Sequence, residues 1–378
     1  FQYSPVQPAR PAAEPKAVSQ AAQMLLAARR PIIHAGQGVL YAGAWEELRR
    51  LAELLQIPVM TTMTGKSAFP EDHPLALGFG GKVTTKQAAH FLREADLILG
   101  IGCSFGKTLL AAPIPPGKRL IHATINETDV NKNYPADQAL IGDARLVLQQ
   151  LIDEVERQAG AEGPAPARDA AGEVGRIRQE WLDEWMPKLT SDETPINPYR
   201  VIWEMMHTIE PAQAIVTHDS GHPRDQLSPF YVAATPRGYL GWGHTTQLGH
   251  SLGLAMGAKL AAPEKIVINV MGDGAFGMVG ADFETAARHK IPILTIMLNN
   301  SVLCGYEKHM PVAVERLRLK CLSGDYAQVA AGLGAYSEKV ESPTDIAPAI
   351  RRALKANEAG QPALLEFITL EETHLSRY

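Results

Sequence analysis

Residues 265–300 read KIVINVMGDGAFGMVGADFETAARHKIPILTIMLNN, and no other stretch restricts the fold as strongly. Residues 265–271 form a short apolar run rich in β-branched side chains, the pattern of a buried strand. Phe283, Ala286 and Ala287 then fall on one helical face. Residues 291–298 make a second apolar run, with Pro292 near its start. A strand–helix–strand unit of this length predicts two parallel strands joined by a right-handed crossover. Asp273 and Asn300 then both sit just past the carboxyl ends of their strands. If the strands are neighbours, the two side chains lie roughly 5–10 Å apart, given a strand spacing of about 4.8 Å. A carboxylate and an amide oxygen placed together suit a hard cation such as Mg²⁺, which keeps few protein ligands and takes the rest from phosphates and water. Gly274 has no Cβ and lets the backbone approach a phosphate. The ordinary alternatives are a solvated loop aspartate and a turn or cap asparagine.

The rest of the chain repeats the same alternation. Apolar runs at 31–35, 57–61, 96–101 and 119–125 predict strands, with helical patterns between them. In residues 45–55, for example, Leu48, Leu51, Leu54 and Leu55 share a face. The second half adds predicted strands at 214–217, 335–340 and 363–368 and a helix at 325–331, with Asn197 as N-cap and Pro198 at the first helical position. The fold class expected is α/β, as two doubly wound parallel-sheet domains. The expected partition is a proline-rich linker over 1–15, a central α/β domain over 16–157, a linker and helix over 158–190, and a second α/β domain over 191–378. A length of 378 residues agrees with two domains of about 100–200 residues each.

Composition narrows the class of function. With a net charge of −5 and both signs dispersed, the chain offers no nucleic-acid surface and no basic membrane patch. No apolar run reaches membrane-spanning length. Cys103, Cys304 and Cys321 form neither a zinc nor a disulfide pattern, so a cytoplasmic setting is expected.

The Gly-Asp-Gly triplet, followed 27 residues after its aspartate by the second asparagine of a doublet, resembles the diphosphate-binding motif of thiamine-diphosphate enzymes. Residues 31–77, with GKSAFPEDHPL near their end, resemble the central domain of the acetolactate synthase and pyruvate oxidase group. Residues 243–258, GHTTQLGHSLGLAMGA, resemble the glycine-rich segment before the diphosphate-binding strand. The resemblance implies thiamine diphosphate and Mg²⁺ as cofactors, with Asp273, Asn300 and the Val302 carbonyl on the metal. It further implies Gly272, Gly274 and Ala275 at the diphosphate, with Ser220, Gly221 and His222 on the same phosphates. Leu248 would prop the bent cofactor and Gly243 would admit it to the backbone.

The family has three domains, and the chain is expected to lack the pyrimidine-binding one, whose glutamate activates the cofactor. No catalytic residue is assigned here for that reason. A homodimer or homotetramer is implied, since the family binds its cofactor between subunits. The loop SVLCGYEKHMP after Asn300 carries its glycine one place later than synthases do. Cys304, Tyr306, Glu307 and His309 therefore read first as ordinary loop residues and second as substrate contacts.

The activity implied is C–C bond cleavage and formation on 2-keto acids, in the manner of an acetolactate-synthase-like carboligase. A 2-keto-acid decarboxylase and a 2-hydroxyacyl-CoA lyase are alternatives. A cofactor-binding subunit that needs a separate pyrimidine-binding domain is another. A flavin-linked oxidoreductase is the last. Gly36-Gln37-Gly38 lacks the third glycine of a dinucleotide fingerprint. Cys103-Ser104-Phe105-Gly106-Lys107 replaces the synthase motif, and Asn126 stands where an acid is common, so FAD is not the favoured occupant of the first domain.

Overall fold

A computed structural model describes residues 4, 6, 9–108, 110–164, 169–242 and 247–378. The chain divides into two compact units. The first comprises Phe1–Lys82, Lys86–Arg178 and Tyr378, and the second Val83–Thr85 and Gln179–Arg377.

The first unit holds strands β1 (Pro31–Ala35), β2 (Val59–Thr61), β3 (Ala76–Phe79), β4 (Leu97–Ile101), β5 (Arg119–Thr124) and β6 (Gln138–Ile141). They form one parallel sheet in the order β3-β2-β1-β4-β5-β6. Successive side chains go to opposite faces, as a strand requires. Ile33, Ala35, Leu99, Ile101, Ile121 and Ala123 enter one apolar cluster. Ile32, Ile98 and Leu120 enter the other. The helix Trp45–Leu55 buries Leu48 and Leu51, with Leu54 and Leu55 packed partly against the first cluster. The helix Ala144–Ala159 covers the same face through Val147, Leu148, Leu151 and Ile152.

The second unit holds β7 (Ala214–His218), β8 (Tyr239–Leu240), β9 (Ile266–Gly272), β10 (Leu294–Asn299), β11 (Tyr336–Val340) and β12 (Ala363–Ile368). The sheet is again wholly parallel, in the order β11-β12-β10-β9-β7-β8. Both sheets are covered by helices, so the doubly wound α/β class read from the sequence is the observed one. In the second sheet the chain passes from β7 outward to β8 and then returns to the opposite side of β7 as β9. The crevice beyond the carboxyl ends of β7 and β9 is the topological switch point, where open α/β sheets bind ligands.

Several boundaries differ from expectation. β10 begins at Leu294 rather than at residue 291, because Pro292 has no N–H for the ladder. Asp273 does not lie in an open loop. It opens the helix Asp273–Val279, with Gly272 as N-cap, and a second helix, Asp282–Arg288, carries Phe283 and Ala286 inward. Within the segment expected as a linker, Gln158 and Ala159 close the preceding helix. Gly160–Glu162 form a 3-10 turn, and Ala170 starts the helix Ala170–Leu189.

Candidate functional site

The parallel sheet of the second unit sends three loops off one edge. β7 ends at His218, β9 at Gly272 and β10 at Asn299, and Leu298 pairs with Gly272 across the β9–β10 ladder. Asp273 and Asn300 therefore leave adjacent strands at the same edge.

Asp273 is 3% exposed. Its Oδ1 accepts the Gly274 amide at 2.9 Å, while Oδ2 is buried with no partner. Burial pushes its carboxyl up to about 6, against the pull of the Gly274, Ser301 and Asp273 amides; the charge of Glu366 adds to the rise. An ionised oxygen that is buried and unbonded carries a full desolvation penalty. A cation at Oδ2 removes it.

Asn300 begins a tight turn. Its Oδ1 accepts the Val302 amide at 3.2 Å, and its Nδ2 donates to Cys304 Sγ at 3.2 Å. Ser301 has a φ of 58°, in the left-handed region. The Val302 carbonyl faces the Cys304 thiol at 3.9 Å, and burial pushes that thiol up to about 11. The turn is braced from outside by an antiparallel bridge between Val302 and Cys321. Leu303 N donates to Lys320 O at 2.8 Å, and Leu322 N donates to Ser301 O at 2.8 Å. Ala275 is buried in the first helical turn. A Cβ on Gly274 would meet the Leu303 side chain, so glycine here permits close packing of the two loops.

On the β7 side, Gly221 has a φ of 85° and opens the helix His222–Phe230. His222 Nδ1 is buried without a partner, and burial lowers the pKa of its ring. Ser220 is buried and its amide bonds Asp219. Leu248 is half-buried against the second unit's apolar core, in the turn before the helix His250–Ala261. Gly243 lies outside the described residues. Among Cys304, Tyr306, Glu307 and His309, only Cys304 bonds a residue of the Asn300 turn; Glu307 pairs instead with Lys320 at 3.5 Å.

The sequence reading assigned no task to Asp219, and the structure makes it the joint between two loops. Fully buried, it accepts both Gly249 N contacts at 3.1 Å, Ser251 N at 3.2 Å and Ser251 Oγ at 2.6 Å. Its partners lie some 30 residues on, which hides the link from any local pattern. His218 beside it is fully buried, stacked on Trp242 at 5.9 Å, and burial lowers its pKa to about 3.

Among the described residues no group of three or more His, Cys, Asp or Glu side chains is placed to hold a metal. The oxygen groups that follow the neighbouring ends of β9 and β10 are instead the Asp273 carboxylate, the Asn300 amide oxygen and the Val302 backbone carbonyl. That oxygen set fits Mg²⁺ with a diphosphate, and it does not fit zinc.

The edge of the first sheet is built differently. Gly36 N donates to Ile101 O at 2.9 Å and Gly38 N to Gly102 O at 2.8 Å, so these glycines pack the loop after β1 against the loop after β4. Phe105 lies over Gly100, with His34 at 5.9 Å and His122 at 4.8 Å between ring centroids.

Residues 18–151 match the family profile described as "Thiamine pyrophosphate enzyme, central domain", and residues 219–367 match "Thiamine pyrophosphate enzyme, C-terminal TPP binding domain". The chain is 31% identical over 369 residues to the "Probable acetolactate synthase large subunit" of Methanococcus aeolicus, across 93% of this chain and 60% of that protein. It is 30% identical over 371 residues to the protein of the same name from Methanocaldococcus jannaschii, across 94% and 60%. Against the "Acetolactate synthase isozyme 3 large subunit" of Escherichia coli it is 30% identical over 288 residues, across 76% and 49%. The chain thus spans about 60% of the length of the first two of these relatives.

Proposed function

We propose, from the premise that this chain belongs to the thiamine pyrophosphate enzyme family, that it forms the diphosphate- and metal-holding part of an enzyme that breaks and makes C–C bonds on 2-keto acids. The observation that carries the reading is Asp273, whose buried, unpartnered Oδ2 stands one strand from the Asn300–Val302 turn. In this reading Asp273 Oδ2, Asn300 Oδ1 and the Val302 carbonyl hold Mg²⁺. The Ala275 amide would meet the diphosphate, joined by the Gly274 amide once it leaves Asp273 Oδ1, with Ser220, Gly221 and His222 on its other side. Leu248 would pack against the cofactor, and Gly272 and Gly243 would admit it to the backbone. Bound thiamine diphosphate supplies a nucleophilic carbon and an electron sink.

What the chain itself contributes is positioning. The Asp273 carboxylate and the Val302 carbonyl would hold the cation that offsets the diphosphate charge at a dry sheet edge. Leu248, bulky and aliphatic, would pack against the bound cofactor and restrict its orientation, so that its reacting groups would be held close together. Burial lowers the pKa of His222, and its unpartnered Nδ1 leaves the ring a hydrogen-bonding group for a phosphate. The acetolactate synthase relatives favour carboligation over simple decarboxylation as the reaction of the assembled enzyme, which would act as a homo-oligomer. Turnover is expected to need a pyrimidine-binding domain in addition to residues 1–378.

Calorimetric titration with thiamine diphosphate tests the reading. Binding should appear with Mg²⁺ and vanish with EDTA, and Asp273→Ala should abolish the Mg²⁺-dependent part while the circular dichroism spectrum stays unchanged. Undiminished Mg²⁺-dependent binding by Asp273→Ala refutes the assignment.

A further inference from the structure

Behind the Asn300 turn lies a buried acid for which nothing so far has given a task. Glu366 sits inside β12, between Leu365 and Phe367 in a strand whose other residues are all apolar, and it is 0% exposed. A leucine there would be buried without cost, whereas a carboxylate must be compensated. No salt bridge reaches it among the described residues. The compensation is two N–H donors: Asn299 Nδ2 to Oε1 at 2.7 Å and Ala327 N to Oε2 at 2.7 Å.

The first of these bonds leads to the candidate site. Donating its Nδ2 to Glu366 fixes which end of the Asn299 amide is oxygen. That Oδ1 then accepts Ser301 N at 2.9 Å and Ser301 Oγ at 3.3 Å. Ser301 is the left-handed residue between Asn300 and Val302. β10 lies between β9 and β12, so the acid approaches the turn from the side opposite Asp273. The second bond ties the same carboxylate to the start of the helix Tyr326–Gly332.

We propose that Glu366 is a positioning residue for the cation site: through Asn299 it holds the Ser301 turn in the one conformation that presents Asn300 Oδ1 and the Val302 carbonyl together. The proposal deepens the metal-holding role proposed above and rests on it. The task needs an acceptor at each of the two side-chain oxygens, which a carboxylate supplies. Glutamine offers one acceptor and one donor, and must abandon either Asn299 or Ala327. Partners of this kind, which orient a metal's ligands without touching the metal, typically change affinity about 10- to 100-fold when altered.

The test uses Glu366→Gln, Asn299→Ala and the double variant in the full chain, with two readouts. Amide hydrogen exchange of the metal-free protein over residues 299–305 should accelerate about 10-fold or more in each single variant. Mn²⁺ affinity in the presence of thiamine diphosphate, read from the paramagnetic resonance of free Mn²⁺, should fall about 10- to 100-fold. The double variant should be no weaker than the worse single one, since both act along one chain of bonds. A purely structural Glu366 would lower thermal stability and leave the Mn²⁺ affinity of the folded variant unchanged, and that result overturns the proposal. Multiplying losses in the double variant also overturn it. Should Glu366→Gln fail to fold, Asn299→Ala decides by the same readouts. Absence of Mn²⁺ binding by the unaltered chain overturns the cofactor reading instead, and the exchange measurement then judges the positioning role alone.

Discussion

Replacing Asp273 by asparagine should stabilise the metal-free protein while removing its response to Mg²⁺. The carboxyl is raised from 3.8 to about 6 by burial. A raised carboxylate pKa means that the folded state holds its proton more tightly than the unfolded chain does. The penalty is therefore absent below the unfolded value, grows as pH rises through the interval from 3.8 to about 6, and is complete above it. At pH 7.5 it amounts to about 3 kcal/mol, at 1.36 kcal/mol per pKa unit. Asparagine keeps an acceptor for the Gly274 amide but places an NH₂ where Oδ2 now has no partner, a loss of about 1–2 kcal/mol. The net expectation is a gain of about 1–2 kcal/mol. Urea unfolding at pH 7.5 and at pH 4.5, with and without Mg²⁺ and thiamine diphosphate, measures it. The gain should shrink at pH 4.5, and the ligands should stabilise the wild type but not the variant. Equal stability of the two metal-free proteins at pH 7.5, or an undiminished Mg²⁺ effect on Asp273→Asn, refutes the reasoning.

Acid should act on the histidines in the opposite sense. His34 is buried with both ring nitrogens unpartnered and its pKa is lowered to about 4, so the unfolded chain takes up a proton first. Its contribution is fully present above about pH 6.5 and is lost at up to about 1.4 kcal/mol per pH unit between there and pH 4; His34→Phe should flatten that slope in urea titrations, and an unchanged slope would refute it. Lys66 and Glu71 pair at 2.6 Å in the interior of the first unit, and burial lowers the lysine's pKa despite its partner. Lys66→Met removes one cation from a buried carboxylate that Arg178 also acts on, and should cost about 3 kcal/mol. A loss below about 1 kcal/mol in chemical unfolding would show that the pair is solvated rather than buried.

What the sequence disclosed depended on how local each cause was. The bounds of β12 were read correctly, because ALLEFI is apolar except for Glu366 and holds neither glycine nor proline. β3 and β6 escaped notice. The first is four residues long, and the second is an edge strand whose pattern is only partly buried. The helical turn at Asp273 was hidden by its glycines, which have poor helix propensity and are held there by packing. At the site, the spacing from Asp273 to Asn300 was legible because one crossover unit sets it. Asp219 was not, since Gly249 and Ser251 reach it only through the fold. Glu366 was visible all along as a lone acid in an apolar strand. Its significance required the Asn299 and Ser301 bonds.

The parallel arrangement of the second sheet leaves its two rims unequal. Every loop that carries a candidate ligand leaves the carboxyl rim, whereas the opposite rim receives only the returns from helices into strands, such as residues 262–265 and 359–362. Lengthening or tagging those returns alters connections that share no side chain with Asp273, Asn300 or His222. A label or an inserted peptide at that rim therefore offers a handle for immobilising or tracking the molecule while its chemistry proceeds on the far side.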